Sequence, residues 1–456
     1  LIEKAHSLNL KVIIDLVLSH SSAQHPWFTE SRKNQSNPKA DWYVWADGKP
    51  DGSAPNNWLS VFGGSAWQWD ENRQQFYLHN FLASQPDFNF HNPEVRWQLL
   101  EEAEYWLKRN VDGLRLDVVN YYFHHPSLEN NPLKSAAQLE SFMGLKANPY
   151  NNQNHQYDKS QPDNLHFLRM LRELTNRYPG AVLLGEIGDD EAARLMGQYT
   201  CDNNKLHMAY CFRLLRDFKG AEFIRNAVED HEKHIGNGWP CWAMSNHDTS
   251  RVASRWASTG NREPNEAFLL LALLLSLRGS ICVYQGEELG LPEANIQRED
   301  LQDPFGIAFW PDYKGRDGCR TPMLWRGEEP YGGFSLSKPW LPVCEAHKTM
   351  TIEQQTNNQR SVLSKFKRFI QWRRQHSALI NGSITFYNCE TDCLLFMRAS
   401  SDEKIVCTFN LSNQHKKMLL PPHLSSGKIT ETTCFQHLQD KNLISLPPFQ
   451  AAFCLL

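Results

Sequence analysis

The sequence predicts an α/β fold built on a parallel sheet, followed by a separate antiparallel β domain. Short apolar segments alternate with longer helical patterns up to His376, which is typical of repeated βα units. After His376 the pattern changes to short alternating runs without helical periodicity, which indicates an antiparallel sheet from about residue 380. Residues 21–92 are rich in Trp, Asn, Gly and Pro and are too many for a simple loop, so we predict an inserted subdomain there.

Six short apolar runs bounded by turn residues are the predicted strands of the parallel sheet. They cover residues 11–17, 113–118, 182–186, 206–210, 242–245 and 280–284. Helical periodicity predicts helices at residues 95–108, 165–177, 221–233, 266–277 and 364–376. The longest apolar run, residues 267–277, is shorter than the roughly 18 residues that a membrane-spanning helix needs, so we interpret it as a buried helix.

The composition of the 456-residue chain is that of an ordinary globular protein, with 41% hydrophobic and 21% charged residues. Its formal net charge of −4 offers no basic surface, so we expect a small neutral substrate as partner, and neither nucleic acid nor a membrane. The eleven cysteines form no CxxC pair and no spacing typical of a zinc site. We interpret them as thiols of a reducing compartment and predict a cytoplasmic protein.

Ionisable and amide side chains end most of the predicted strands. They are Asp15 and His20, Arg115 and Asp117, Glu186, and Asn246, His247 and Asp248. A single Asp at a strand end is more often a helix cap or a turn residue than a catalytic group. In a barrel of parallel strands, however, the carboxyl ends meet at one rim, where active sites lie. We therefore predict that carboxylates from three strands meet at that rim.

The segment GLRLDVVN, residues 113–120, carries Arg115 and Asp117 on the same face of a buried strand. Burying such a pair costs several kcal/mol unless it is well bonded, so stability is a poor reason for it. Retaining glycoside hydrolysis needs one ionised and one protonated carboxyl, roughly 5–5.5 Å apart. Arg115 would favour the ionised form of Asp117, and the apolar sequence before Glu186 would favour its protonated form. We predict Asp117 as nucleophile and Glu186 as acid.

Five short segments occur in the order and approximate spacing of the signature segments of a known enzyme family. They are DLVLSH (15–20), QPDFN (85–89), GLRLDVVN (113–120), LLGEIG (183–188) and SNHD (245–248). Together they resemble the α-amylase family, glycoside hydrolase family 13, and QPDFN has the form typical of its oligo-1,6-glucosidase subfamily. HPWF (25–28), DWYVWAD (41–47) and GRDGCRTPM (315–323) are similar to that branch, and GEIGDD (185–190) resembles α-glucosidases of bacterial type. The resemblance covers essentially the whole chain.

The resemblance implies a TIM (β/α)8 barrel with an inserted B domain and a C-terminal antiparallel β-sandwich domain. The implied parts are residues 1–20 and 93–379 for the barrel, 21–92 for the B domain and 380–456 for the C-terminal domain. The strand at residues 11–17 corresponds to the third barrel strand, so we expect the first two strands and their helices, roughly 60 to 90 residues, to be absent. Because six strands cannot close such a barrel, we expect the polypeptide of this length to be poorly folded or inactive.

The resemblance also implies roles for individual residues. The residues that it places in the site are His20, Phe81, Arg115, Asp117, Val118, Glu186, His247, Asp248 and Arg320. Asp117 would be the nucleophile, Glu186 the acid/base and Asp248 the stabiliser of the transition state. The two histidines, Arg320 and Phe81 would line the sugar subsite, and Arg115 would orient the nucleophile. No organic cofactor is implied, and a calcium or magnesium site would belong to the region before residue 1.

The linkage that the enzyme cleaves is less well indicated. In the subfamily, Val at the position of Val118 is associated with α-1,6 cleavage and Ala or Thr with α-1,4 cleavage, whereas GEIGDD resembles enzymes that prefer short α-1,4 substrates. We predict an exo-acting α-glucosidase for short oligosaccharides, because long insertions can enclose the non-reducing end. The alternatives are an oligo-1,6-glucosidase, a trehalose-6-phosphate hydrolase, and a noncatalytic heavy chain of an amino acid transporter. A glycosyl-enzyme could also transfer glucose to a sugar.

Overall fold

The chain forms two units in the computed structural model, which describes residues 1–141, 148–218, 220–257, 264–424, 428–429, 434–435, 438–440 and 442–456. The first unit comprises Leu1–Phe212 and His231–Pro240, and the second comprises Arg213–Asp230 and Cys241–Leu456. The first unit therefore contains four of the six predicted parallel strands, and the second contains the other two.

Helices occupy much of the described chain, and several begin at a side chain that caps the first turn. They are α1 (Ile2–Ser7), α2 (Pro26–Ser31), α3 (Pro93–Leu107), α4 (Ala136–Ser141), α5 (Asn164–Thr175), α6 (Ala192–Thr200), α7 (Ala221–Ile235), α8 (Val252–Arg255), α9 (Pro264–Ser276), α10 (Pro304–Ala308), α11 (Ile352–Thr356), α12 (Val362–Arg373) and α13 (Ser377–Asn381). Asn92 caps α3 by accepting a hydrogen bond from the Glu94 N–H, and Ser361 caps α12 in the same way. The five predicted helices correspond to α3, α5, α7, α9 and α12.

A parallel sheet forms the centre of the first unit. The strands of this unit are β1 (Ile13–Leu16), β2 (Trp45–Ala46), β3 (Trp67–Asp70), β4 (Gln75–Leu78), β5 (Gly113–Leu116), β6 (Val182–Ile187) and β7 (Met208–Cys211). The parallel sheet has the order β1-β5-β6-β7. Its register places Asp15 beside Arg115, and Glu186 beside Tyr210. This register brings polar residues from neighbouring strands together.

Alternate residues of β5 and β6 face opposite sides of the parallel sheet. Leu114 and Leu116 of β5 and Leu183 of β6 are fully buried in the apolar core, together with Leu99 of α3 and Phe167 of α5. The residues between them, which include Arg115 and Glu186, point to the other side. The helices thus cover one face of the sheet and leave the polar residues on the other.

Several aromatic residues of the inserted segment pack into the same apolar core as the parallel sheet. Strands β2, β4 and β3 form an antiparallel sheet in this order. The ring of Phe28 lies against Trp45 and Tyr77, with centroid distances of 5.6 and 5.1 Å. The antiparallel sheet lies within residues 21–92, where the composition predicted a subdomain. The boundaries of the four parts of the chain stay a prediction.

The second unit contains a short parallel pair and a larger antiparallel domain. Its strands are β8 (Cys241–Trp242), β9 (Ser280–Ile281), β10 (Ser383–Tyr387), β11 (Cys393–Ala399), β12 (Lys404–Asn410), β13 (Lys416–Leu419), β14 (Lys428–Ile429), β15 (Leu438–Asp440), β16 (Leu443–Leu446) and β17 (Ala451–Leu455). Strands β8 and β9 are parallel. One antiparallel sheet has the order β10-β11-β12-β17-β14 and a second has the order β13-β16-β15. These sheets confirm the predicted C-terminal β domain.

Helix α9 is the buried helix that its apolar sequence predicted. Its leucines are buried in one core with residues of α12, β11 and β12. Among the described residues, no helix has the length and apolar character to cross a membrane. Strands β8 and β9 are shorter than predicted, since each has two paired residues. The strands expected before β1 stay a prediction.

Candidate active site

The buried guanidinium of Arg115 is the centre of a polar cluster at the carboxyl end of the parallel sheet. Its Nη1 atom donates to Asp15 Oδ1 at 2.8 Å and to Asp117 Oδ1 at 2.5 Å, and its Nη2 atom donates to Glu186 Oε2. The Nε and Nη2 atoms also donate to the hydroxyl of Tyr210, at 3.2 and 2.9 Å. Three carboxylates from three strands therefore share one guanidinium.

This arrangement corrects one part of the sequence-based prediction. Glu186 is buried, with 2% of its side chain exposed, but its surroundings are not purely apolar because Arg115 donates to it. Burial lowers the pKa of Arg115, but the charges of Glu186, Tyr210, Asp117 and Asp15 raise it to a net value above its ordinary one. The planar guanidinium has donors in a fixed geometry, so it holds the carboxyls of Asp117 and Glu186 on neighbouring nitrogens.

Val118 follows Asp117 in a strained backbone conformation. Its φ is +37°, in the left-handed region that a β-branched residue rarely occupies. Such a conformation costs about 1–3 kcal/mol and persists where the surrounding structure imposes it, often at a functional site. The N–H of Val118 donates to Glu186 Oε2 at 3.4 Å. The turn after Asp117 is thus tied to the second carboxyl, while the influence of Val118 on linkage stays a prediction.

His20 lies within reach of the charge of Asp117 and is half-buried. Burial lowers the pKa of His20 to about 4, although the charge of Asp117 opposes the shift, so the ring is neutral at pH 7. The amide Nε2 of Gln85 donates to His20 Nε2 at 2.9 Å, and the ring Nδ1 bonds the hydroxyl of Ser19 at 2.9 Å. A sugar hydroxyl would therefore have to replace Gln85 to bind Nε2, which the sequence did not indicate.

Phe81 contacts the ring of His20. The ring centroids of the two residues are 5.4 Å apart, and Phe81 also lies 5.5 Å from Tyr121 and 5.8 Å from Phe62. The buried Lys159 orients Tyr121, because its Nζ donates to the Tyr121 hydroxyl at 3.3 Å. An aromatic wall therefore adjoins His20 in the first unit.

Asp248 belongs to the second unit, where two arginines bind it. Arg316 Nη1 and Arg320 Nη2 both donate to Asp248 Oδ1, at 3.0 and 2.8 Å. His247 Nε2 lies 3.5 Å from Asp248 Oδ2, and Arg320 Nε donates to the carbonyl of His247 at 2.6 Å. His247, Asp248 and Arg320 thus form one cluster in the second unit, while their roles toward a sugar stay a prediction.

Arg316 is the residue of this cluster that the sequence analysis missed. GRDGCRTPM contains two arginines four residues apart, and only Arg320 was assigned to the site. A short 3-10 turn, Asp317–Cys319, separates them and lets both reach Asp248. Burial raises the pKa of the Cys319 thiol in that turn to about 12, so the thiol is inert at neutral pH. The second arginine in this segment was the sequence signal from which Arg316 could have been assigned to the cluster.

Metal binding was expected, if anywhere, before residue 1. Within the described residues there is no group of three or more His, Cys, Asp or Glu side chains that could hold a metal ion. The chemistry of the two clusters above is that of carboxylates, arginines and histidines. A calcium or magnesium site stays a prediction.

Asp87 is a buried acid whose backbone forms an isolated antiparallel β-bridge with the backbone of His20. Its Oδ2 atom accepts hydrogen bonds from the backbone and side-chain nitrogens of Asn80, at 3.0 and 2.6 Å. Its Oδ1 atom is buried and has no hydrogen-bond partner among the described residues. Burial raises the pKa of Asp87 well above its ordinary value, although the bonds from Asn80 oppose the shift. The native structure therefore favours the protonated acid.

We expect Asp87→Asn to make the free energy of unfolding less dependent on pH. In the parent, the native state keeps a proton that the unfolded chain releases above about pH 4, so this contribution to stability is complete below that pH and falls as the pH rises toward the raised pKa. An amide has no proton to lose. Urea unfolding should give the parent and the variant equal free energies of unfolding near pH 4. Near pH 8 the free energy of unfolding of the variant should exceed that of the parent by about 1–3 kcal/mol.

Asp51→Asn is the matched control for this pH dependence. Asp51 lies on an exposed turn, where bonds from Ser53 lower its pKa, so its replacement should bring no gain at high pH. A variant Asp87→Asn that is less stable than the parent near pH 8 would contradict the assignment of a protonated Asp87.

Comparison with known proteins identifies the family. The profile of the α-amylase catalytic domain matches residues 1–382. The chain belongs to the α-amylase family. It is 49% identical over 423 residues to a probable α-glucosidase of Rhizobium meliloti (strain 1021), covering 92% of this chain and 77% of the relative. It is 30% identical over 457 residues to an oligo-1,6-glucosidase of Parageobacillus thermoglucosidasius, covering 93% of this chain and 78% of that relative.

Solved structures of the α-amylase family share the fold. An α-glucosyl transfer enzyme, XgtA, superposes with a TM-score of 0.96 at 46% identity, over 100% of this chain and 84% of that chain. The predicted fold class, the TIM barrel of the α-amylase family, is therefore confirmed. This member of the α-amylase family is a glycoside hydrolase, as the sequence predicted.

Proposed function

We propose that the protein is a retaining, exo-acting α-glucosidase that hydrolyses terminal α-glucosidic bonds of short oligosaccharides of the maltose or isomaltose type. The observation that carries this proposal is the shared guanidinium of Arg115, which bonds both Asp117 and Glu186. A retaining mechanism needs two carboxyls close to one another and in different protonation states. The similarity to a probable α-glucosidase at 49% identity supports the substrate class.

The first step would form a covalent glycosyl-enzyme. A carboxylate oxygen of Asp117 attacks the anomeric carbon, the glycosidic bond breaks, and the proton of Glu186 goes to the leaving oxygen. Asp117 suits the nucleophile because its side chain is 22% exposed and is oriented by the hydrogen bond that it accepts from Arg115. Three carboxylates around one cation also favour protonation of one of them, and burial opposes charge most strongly at Glu186.

The second step would release glucose with its configuration retained. Glu186, now a carboxylate, takes a proton from water, and the resulting oxygen nucleophile attacks the anomeric carbon and frees Asp117. Arg115 keeps Asp15 and Asp117 as partners when Glu186 is neutral, so the guanidinium is never left unpaired during the cycle. A sugar hydroxyl in place of water would give transfer, which is the activity named for the similar structure.

The role proposed for Asp248, in the second unit, is to bond sugar hydroxyls as the ring distorts toward the oxocarbenium-like transition state. Its Oδ1 atom is already bonded to Arg316 and Arg320, and its side chain is 32% exposed. Both arginines bind the same oxygen, so a hydroxyl donor would bond the second oxygen, Oδ2, beside His247. His247 and Arg320 would contact the same sugar.

Initial rates on maltose, isomaltose, sucrose, trehalose 6-phosphate and starch test the substrate class, measured on the full gene product. We expect at least one of the two glucose disaccharides to be cleaved much faster than starch, with α-glucose as the first product seen by NMR. The ratio of the maltose and isomaltose rates assigns the linkage, for which Val118 and the similarity to an oligo-1,6-glucosidase favour α-1,6. Rapid loss of starch viscosity, or β-glucose as first product, would contradict the proposal.

We also propose that small neutral sugars are its partners and that the protein works in the cytoplasm. The net charge of −4 supports the first point, because nucleic acids and anionic membranes attract basic surfaces. Buried thiols that are in no disulfide, such as Cys241, Cys319, Cys407 and Cys454, support the second. Detection of the native protein in a periplasmic or culture-medium fraction would contradict it.

A further inference from the structure

Asp303 is a fully buried carboxylate that encloses one side of Arg316. Its Oδ2 atom accepts hydrogen bonds from the backbone N–H and the Nε of Arg316, at 2.9 and 3.0 Å. Its Oδ1 atom accepts a bond from Arg316 Nη2 at 2.7 Å. The side chain of Asp303 has 0% exposure, so these bonds are shielded from water. Asp303 therefore holds two nitrogens of the guanidinium, Nε and Nη2, and the backbone nitrogen of the same arginine.

The remaining nitrogen of the fork points at Asp248. Arg316 Nη1 donates to Asp248 Oδ1 at 3.0 Å, which is the same oxygen that Arg320 binds. A guanidinium is planar, so fixing Nε and Nη2 also fixes the direction of Nη1. Asp303 thereby sets the direction of the hydrogen bond that Arg316 donates to Asp248.

The backbone around Asp303 is held just as firmly. Gly306 and Gly315 approach so closely that a Cβ added to Gly306 would lie 2.6 Å from the Gly315 Cα. The carboxylate of Asp317 accepts the backbone N–H groups of Gln302 and Asp303, at 2.6 and 2.9 Å. The segment that carries Asp303 and the segment that carries Arg316 are thus locked side by side.

The charges of the pair are mutually stabilised. Burial raises the pKa of Asp303, but the hydrogen bonds and charge of Arg316 lower it to a net value below its ordinary one. Burial also lowers the pKa of Arg316, but Asp303 and Asp248 raise it to a net value above its ordinary one. A buried ion pair is often no more stabilising than a well-packed apolar pair, so stability alone explains it poorly.

We propose that Asp303 is a positioning residue of the active site, which fixes Arg316 so that Nη1 is directed at Asp248. This inference rests on the proposed role of Asp248 in stabilising the transition state. Without Asp303, the long side chain of Arg316 regains rotamer freedom, and Asp248 loses one of the donors that orient it. Small misplacements of a group that acts in the transition state can lower the rate about 100-fold without weakening substrate binding to the same extent.

The test is a comparison of Asp303→Asn with the parent, by steady-state kinetics on an aryl α-glucoside with the full gene product. We expect kcat to fall by about 10- to 100-fold while KM changes by less than about 3-fold. Glu403→Gln is the matched control, because it converts a partly buried, paired carboxylate of the same unit into an amide. Glu403 accepts bonds from His376 and from the N–H of Ala378. The control should keep the parent kcat even if its melting temperature falls equally.

A double variant separates positioning from a merely structural role. If Asp303 acts through Asp248, Asp303→Asn should have no further effect on kcat in an Asp248→Asn background. An equal loss in both backgrounds, or a parent-like kcat for Asp303→Asn, would overturn the inference. If Asp303→Asn does not fold, Arg316→Lys keeps the charge, removes the fork and should show the same loss of kcat. If Asp248→Asn has parental activity, the proposed role of Asp248 is wrong. Coupling between Asp303 and Arg316 is a separate measurement, which compares the kcat values of the two single variants with that of their double variant.

Discussion

We expect Asp117→Asn to abolish hydrolysis, with a fall in kcat of at least about 10⁴-fold on both aryl α-glucosides and disaccharides. An amide of nearly the same shape cannot attack the anomeric carbon, so the glycosyl-enzyme does not form. The variant should still fold, because Arg115 keeps bonds to Asp15, Glu186 and Tyr210. Steady-state rates, and mass spectrometry of the protein after incubation with an activated glucosyl fluoride, measure both consequences.

Asp15→Asn is the control that distinguishes a nucleophile from an ion-pair partner. Asp15 shares Nη1 of Arg115 with Asp117, but its side chain is 53% exposed. We expect its replacement to lower kcat much less than the replacement of Asp117. Equal losses in the two variants would mean that Asp117 serves only to neutralise Arg115. Added azide should attack the substrate in Asp117→Gly from the face that the carboxylate occupied and yield the β-glucosyl azide.

Glu186→Gln should produce a loss that depends on the leaving group. We expect kcat/KM for disaccharides to fall by about 10²–10⁴-fold, because their leaving oxygen needs a proton. An aryl glucoside with an acidic phenol needs no such proton, so its first step should remain fast and a burst of phenol should appear. The second step then lacks its base, and the glycosyl-enzyme should accumulate. Rapid-quench kinetics and intact-protein mass spectrometry measure these species.

The stereochemistry of rescue and the pH profile complete the test of Glu186. Azide should release the accumulated glycosyl-enzyme as the α-glucosyl azide, the opposite anomer from that expected for Asp117→Gly. The limb of the pH–rate profile that reports loss of the acid proton should disappear. Glu191→Gln is the matched control, because Glu191 lies exposed on the connection that follows β6 and is paired with Arg194. Equal losses on both classes of substrate would contradict the acid/base role.

The strands and the residues that end them were predictable because both are local properties of the chain. A short apolar run with turn residues at its ends predicts a strand wherever it lies, and all six predicted strands are present. The charged or polar residues at their ends, such as Asp117 and Glu186, follow from the order of residues alone. The change of pattern after His376 likewise predicted the antiparallel domain.

The partners of these residues were less predictable because they depend on register and on distant segments. The sequence paired Arg115 with Asp117, two residues away. Asp15 joins it because it is the register partner of Arg115 on β1, and Glu186 joins it from two residues beyond Leu184, the partner on β6. Gln85 reaches His20 from 65 residues away along the chain. The periods of two and 3.6 residues that predict strands and helices do not show which residues of distant segments are in contact.

The residue types, their order and the turn chemistry of the sequence were therefore enough for the family, the strands and the candidate carboxylates. The sharing of Arg115 by three acids, and the line of contacts from Asp303 through Arg316 to Asp248, became visible only in three dimensions. Arg316 and Asp248 are 68 residues apart, and the local pattern at Asp303, an N-cap before Pro304, marks the start of α10 and not a contact with Arg316. The physical reason is that hydrogen bonds between side chains are set by distances and directions of about 3 Å, which depend on how strands and loops pack.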